Sequence, residues 1–274
     1  MSEPAPAWPV GPAWAVHDLH HSFPAAAAGE PPVAVLDGLS LASGRGEFVA
    51  LLGPSGCGKS TVLRVLAGLL RPDAGQAWVG GEPVLGRPGW CALQPQRDTL
   101  LPWKRCLANA TLGAEVAGVP APVARADALA LWDRFGLTGY EQAWPAQLSG
   151  GMRQRLALLR AFLSPREVIL LDEPLGALDA ITRRDLQVWL EGVWDTHPRT
   201  VLLVTHDVDE ALLLSDRVVV LSDRPARVVA DVAVPLPRPR SPALVTDDAF
   251  GLLRAEVLDA LRSGHRSAGP SPAP

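Results

Sequence analysis

FVALLGPSGCGKSTVLRVLAGLL, residues 48–70, decides the fold. Its opening run, Phe48 to Leu52, is unbroken in apolar residues, as a strand buried on both faces of a parallel sheet tends to be. GPSGCGKS then fits the G-x-x-x-x-G-K-[ST] phosphate-loop pattern, and it stands where that pattern must stand, after a strand and at the opening of a helix read over residues 59–70. The chemistry follows from the residue types. Glycines let backbone N–H groups curl around phosphate, the helix N-terminus adds favourable potential, Lys59 reaches the terminal phosphates and Ser60 can bind Mg2+. Gly53, Pro54, Ser55, Gly56, Cys57, Gly58, Lys59, Ser60 and Thr61 are the candidate phosphate-binding residues.

Two further stretches extend this reading. In VILLDEP, residues 168–174, four apolar residues carry a strand and Asp172 emerges at its end, where a carboxylate can orient Mg2+ directly or through water. Glu173, immediately after it, can accept a proton from an attacking water. LSGGM, residues 148–152, opens a helix carrying Arg153 and Arg155. Ser149, Gly150 and Gly151 therefore present a hydroxyl and backbone donors at a helix N-terminus, a second anion site. A second phosphate binder just before an apolar helix implies that the molecule grips the nucleotide of a partner.

Around these motifs, strand and helix patterns alternate, as in a sheet with helices packed against it. TVLLVT (200–205) and RVVVLS (217–222) read as further buried strands, with helices over 182–195 and 207–215. Residues 104–163 contain no strand pattern, only helix-like stretches broken at 118–122 and 136–139, so a helical subdomain of about 97–163 is inserted in the sheet domain. The early strands, 14–23 and 33–41, form an antiparallel layer over the nucleotide, joined by the loop AAAAGEPP (25–32). The expected fold class is α/β: a phosphate-loop nucleotidase sheet core with an antiparallel β layer and an inserted helical subdomain. The nucleotide-binding domain is expected to span 14–240 and a helical extension 241–262. Segments 1–13 and 263–274, rich in Pro, Ala, Gly and Ser, read as flexible tails.

Composition narrows the classes. With 274 residues, 48% of them hydrophobic, the chain can bury a full core. No apolar run approaches the ~18 residues that span a bilayer, and the opening MSEPAPAWPVGPAW has no positive charge ahead of an apolar core, so neither a span nor a secretory leader is expected. A formal net charge of −4 offers no basic footprint for nucleic acid. Three cysteines, Cys57, Cys91 and Cys106, are odd in number and lack CxxC spacing; they read as thiols.

GPSGCGKS, VILLDEP and LSGGM, in this combination and order, resemble the nucleotide-binding subunits of ABC transporters over roughly residues 16–240. The resemblance implies ATP and Mg2+ as cofactors, Glu173 as the base, and a head-to-tail homodimer in which each ATP lies between one chain's phosphate loop and the other's LSGGM. It places Asp179, in GALDA (176–180), at the dimer seam and makes His206, in THDVDEA (205–211), a switch histidine contacting the γ-phosphate. Phe23, in HSF, matches the aromatic that stacks on adenine, and it also fits as ordinary core. Met152 replaces the glutamine common in the family. The glutamine loop departs further: ALQPQRDTLLPW (92–103) offers Gln94 and Gln96, and counting back from LLPW favours Gln96 as the Mg2+ and water contact.

LLPW, DEPLGALDAITRRDLQVWL (172–190) and VTHDVDEALLLSDRVVVLSDRPARVV (204–229) resemble the ATPases of nitrate, sulfonate and taurine importers and of relatives thought to import thiamine-precursor pyrimidines. That resemblance implies an ATP-hydrolysing importer subunit, peripheral on the cytoplasmic face of the membrane, working with multi-spanning permease subunits and, indirectly, a substrate-binding protein. Trp103, tipping LLPW, is then either a socket for the permease or a core residue. The competing class is a soluble ABC-type ATPase of DNA repair or translation, whose added coiled coils, zinc elements or second cassette the sequence does not show.

Overall fold

The computed structural model describes residues 11–25, 29–176, 178–196 and 199–266. The expected tails at 1–10 and 267–274, and the middle of the loop at 25–32, lie outside the described residues.

The chain opens with β1 (Trp14–Phe23) and β2 (Val33–Ser43), then enters a second sheet at β3 (Phe48–Leu52), which runs through the phosphate loop into α1 (Lys59–Leu66). β4 (Ala74–Val79) and β5 (Glu82–Pro83) return to the first sheet, and β6 (Cys91–Gln94) rejoins the second. Four helices follow: α2 (Cys106–Ala110), α3 (Leu112–Val116), α4 (Ala121–Trp132) and α5 (Gly150–Phe162). The rest alternates through β7 (Val168–Asp172), α6 (Ala180–Thr196), β8 (Thr200–Val204), α7 (Val208–Leu214), β9 (Arg217–Leu221), β10 (Val228–Ala233) and α8 (Asp248–Arg266). The first sheet is antiparallel, in the order β2-β1-β4-β5. The second has the order β10-β9-β3-β8-β7-β6 and is parallel except for its edge strand β10.

Hydrophobic pattern explains the layering. Every residue of β3 and β8 is buried, because helices or the antiparallel layer cover both faces of these central strands. One core lies between the second sheet and the helical subdomain, where Phe48 meets Trp194 edge-on with ring centroids 4.8 Å apart. Such an aromatic pair contributes about 0.5–1.5 kcal/mol beyond its burial. A second core joins the antiparallel layer to α1, and a third lies beneath α7, α8 and β10. Cys57, Cys91 and Cys106 are free thiols; burial pushes each upward, Cys91 to about 12.

Segment 104–163 contains no strand, as its pattern predicts, but several boundaries move. α1 stops at Leu66 rather than residue 70. Gly68 turns left-handed at φ 72°, and the N–H groups of Leu69 and Leu70 both donate back to the Arg64 carbonyl. Ala13, expected in the tail, is fully buried and bonded through its backbone to Ser43 and Gly80. α8 runs to Arg266, past the expected end of the extension at 262, because Ser263 and His265 find partners in Asp259 and Asp223. β6 and β10 carry too few alternating residues to read as strands in isolation.

Candidate active site

The phosphate loop is shaped by its glycines. Gly56 and Gly58 have φ of 75° and 130°, a region costly for L side chains, and a Cβ on Gly58 would sit 2.9 Å from both Leu36 and Val35. β2 therefore presses on the loop and holds it at the head of α1. Lys59 is only 5% exposed, and its Nζ donates to the carbonyls of Gly53 (2.7 Å) and Pro54 (2.8 Å). Those carbonyls satisfy two of its three N–H groups without neutralising its charge, so the loop retains a buried cation suited to phosphate.

Between the loop and the antiparallel layer lies a cavity of about 420 Å³, lined by Phe23, Lys59, Ser60, Thr61, Glu173 and Arg224 among others. This is the size of a small-ligand site. Phe23 packs on the core of the antiparallel layer, edge-on to His21 at 4.6 Å, and is also among the residues that line the cavity.

β7 delivers the carboxylates. Ser60 Oγ donates to Asp172 Oδ1 at 2.9 Å, joining the start of α1 to the end of β7 across 112 residues of sequence. Burial pushes the Asp172 carboxyl upward, the Ser60 hydroxyl opposes the rise, and neighbouring Glu173 adds to it. A desolvated carboxylate beside a hydroxyl is a hard-oxygen pair that fits Mg2+, whose charge would favour the ionised form. Among the described residues there is no cluster of three His, Cys, Asp or Glu that would serve as an all-protein metal cage.

Glu173 has φ 45°, a left-handed conformation uncommon outside glycine, and its N–H donates to Val204 O at 2.8 Å. Strain of this kind costs of order 1–3 kcal/mol and persists where neighbours enforce it. The turn aims the side chain at two groups: Gln96 Nε2 donates to its Oε2 at 3.2 Å, and His206 Nδ1 lies 3.4 Å from the same oxygen. Of the two candidate glutamines, it is Gln96 that reaches this carboxylate. Gln94, at the end of β6, is 1% exposed, and its amide has no hydrogen-bond partner among the described residues.

LSGGM lies elsewhere. Ser149 caps α5, its Oγ accepting from Met152 N at 3.2 Å, which satisfies one of the free donors of the first turn. Ser149 and Gly150 are exposed, and neither they nor Gly151 line the phosphate-loop cavity. A Cβ on Gly151 would fall 2.8 Å from Thr182 Cγ2, so the close approach of α5 to α6 requires glycine there; Gly150 meets nothing nearer than 3.9 Å. Asp179 is exposed and caps α6 by accepting from Ile181 N and Thr182 N, donors that hold its carboxyl below the usual range.

Two residues at the site carried no role in the sequence reading. Glu210 in THDVDEA is buried and pushed up to about 7 by that burial, although Thr205 Oγ1 donates to it. Arg224 in SDRPAR meets the phosphate loop from 168 residues away. Both stretches were conspicuous, but only the fold shows what these side chains touch.

The sequence pattern of the family described as ABC transporter matches residues 36–176. An uncharacterised ABC transporter ATP-binding protein of Methanocaldococcus jannaschii is 42% identical over 84% of this chain and 88% of its own. An aliphatic sulfonates import ATP-binding protein of Pseudomonas fluorescens is 44% identical, covering 88% of this chain and 84% of that one; a second so named, from Xanthomonas axonopodis pv. citri, is 46% identical over 83% and 74%. Among solved structures, a dimeric bacterial ABC transporter cassette superposes with a TM-score of 0.71 at 26% identity, covering 82% of this chain and all of that one. A dimeric post-hydrolysis cassette bound to ADP and Pi gives 0.70 at 25% over the same shares. With the phosphate loop, the paired acids and the second glycine-rich turn in place on this sheet, the chain belongs to the ABC transporter family, as an ATP-binding subunit that hydrolyses ATP.

Proposed function

We propose that the chain is the ATPase subunit of an ABC importer whose cargo is a small anionic nutrient of the sulfonate kind. The convergence of Gln96 and His206 on Glu173, beside the Ser60–Asp172 pair, is the observation that carries the catalytic part of this reading. Lys59 and the loop N–H groups hold the phosphate charge, Phe23 takes the adenine face, and Glu173 accepts the proton of the attacking water while Gln96 and His206 orient it. Ser60, Asp172 and Gln96 would hold Mg2+, which would offset charge on the terminal phosphates. Ser149, Gly150 and Gly151 serve the ATP of a second copy, with Asp179 at the seam; their position outside the phosphate-loop cavity supports this arrangement.

Closure of such a dimer would pull on separate permease subunits, with a binding protein selecting cargo above them. No helix among the described residues is long and apolar enough to cross a membrane, so the spans are assigned to those subunits and the chain to the cytoplasmic face. Trp103 supports the docking role, because it is 70% exposed at the tip of LLPW and is no core residue. The sulfonate assignment rests on the names of the relatives.

Reconstitution with the permease tests the whole reading. Sulfonate-loaded binding protein should stimulate ATP hydrolysis by the assembled complex. Trp103→Ala should remove that stimulation at unchanged melting temperature, since an exposed side chain adds little stability. A complex that ignores every sulfonate sinks the cargo assignment; full coupling in the Trp103 variant sinks the docking role.

A further inference from the structure

Arg224 projects from the turn between β9 and β10, and its Nε donates to the Gly56 carbonyl at 2.5 Å. Its Nη2 fills the space that a Cβ on Gly56 would need, and the side chain lines the phosphate-loop cavity with Lys59, Ser60 and Thr61. Three arginines on the strands and loops beside this turn are tied to acids: Arg217 to Glu47 and Asp231, Arg227 to Asp37, Arg238 to Glu191 and Asp216; Arg64, on α1, also lines the cavity. Among the described residues Arg224 has no acidic partner, and its one hydrogen bond engages Nε alone.

The turn that carries it is anchored from two sides. Ala226 N donates to Val35 O at 2.8 Å, and Arg227 pairs with Asp37, fixing the turn to β2. Asp223, the acid next to Arg224 in sequence, is drawn instead to the end of α8, where His265 Nδ1 lies 2.9 Å from its Oδ2. Gly264 packs so close that a Cβ there would stand 3.2 Å from Ser222 Cα.

We propose that Arg224 is a nucleotide-binding residue, its unengaged guanidinium N–H groups recognising the phosphate charge of ATP beside Gly56, and that the His265–Asp223 contact keeps it available by holding the adjacent acid on α8. Guanidinium suits this task because it stays charged and presents parallel donors matched to phosphate oxygens. Pre-positioning on an anchored turn lowers the ordering cost of binding. The inference rests on the phosphate loop being the ATP site.

Titration of the full chain with ATP over a range of salt concentrations tests it. Arg224→Ala should raise the Kd at least about tenfold, as loss of a charge-assisted hydrogen bond implies, with a shallower salt dependence and an unchanged nucleotide-free melting temperature. Arg224→Lys should recover part of the affinity. His265→Ala should weaken binding several-fold, and adding Asp223→Asn should restore it. An unaltered Kd in Arg224→Ala overturns the proposal. So does a weakened Kd with the parental salt dependence and no recovery by lysine, since Arg224 would then only brace the loop. An unaltered Kd in His265→Ala removes the role given to α8. Lys59→Ala is the control: normal ATP binding by that variant would overturn the phosphate-loop assignment itself, and Arg224 with it.

Discussion

The phosphate loop of residues 53–60 and the LSGGM turn of residues 148–152 both set glycines and a serine at the head of a helix, yet they differ in what surrounds them. The first is enclosed: β2 presses on Gly58, Lys59 is buried over the loop carbonyls, and Asp172 closes on Ser60. The second faces outward, with Ser149 and Gly150 exposed and only the cap to Met152 and the packing of Gly151 on Thr182 involving its own chain. In the proposed head-to-tail dimer the outward turn is the one that meets the ATP of the second copy, and the contrast is what that arrangement would require.

The largest effect should come from the enclosed side. Glu173→Gln removes the proton acceptor while leaving the phosphate cradle, so turnover should fall by about 10²–10⁴ with ATP binding retained. Mg-ATP should then shift the protein to a dimer on sizing chromatography. Parental turnover in this variant would remove Glu173 from its role.

Glu210 sharpens the comparison through stability. Its buried carboxyl, with Oε1 unpartnered among the described residues, is pushed from an ordinary 4.5 to about 7. Between those values the folded state holds a proton that the unfolded state has lost, so this contribution is full below about pH 4.5 and disappears as pH rises through about 7. At pH 8, Glu210→Gln should be more stable than the parent by on the order of 3 kcal/mol, with the two converging near pH 4.5. Denaturant melts across that range check it; parallel curves for the two proteins would mean that Glu210 is charged in the fold.

The two signature glycines should separate packing from function. Gly151→Ala forces Thr182 or the α5 backbone to move and should cost about 1–3 kcal/mol. Gly150→Ala has open space around it and should stay within about 0.5 kcal/mol of the parent while lowering ATPase activity. Equal destabilisation of both would show that Gly150, too, is held by its own fold.

How legible each part was depends on how local its cause is. The phosphate loop and the end of β7 were readable because strand, turn and helix are consecutive there and the chemistry attaches to adjacent residues. Spacing favoured Gln96, but only the fold, which buries Gln94 at the end of β6 and carries Gln96 on the following turn to Glu173, separates the two in space. The requirement for glycine at 151 comes from Thr182, and the contact of Arg224 with Gly56 joins positions 168 residues apart. Neither leaves a periodicity to detect. The same holds for the end of α8, which looked like tail because His265 depends on Asp223.

The most direct test of the divided site is mixing. Ser149→Arg spoils the outward site and Lys59→Ala the enclosed one, so each variant alone should be nearly inactive. In a verified mixed dimer, one composite site contains neither change. Recovery of a substantial part of the parental ATPase rate on mixing is the predicted result; verified mixed dimers that stay as inactive as either variant alone would contradict it.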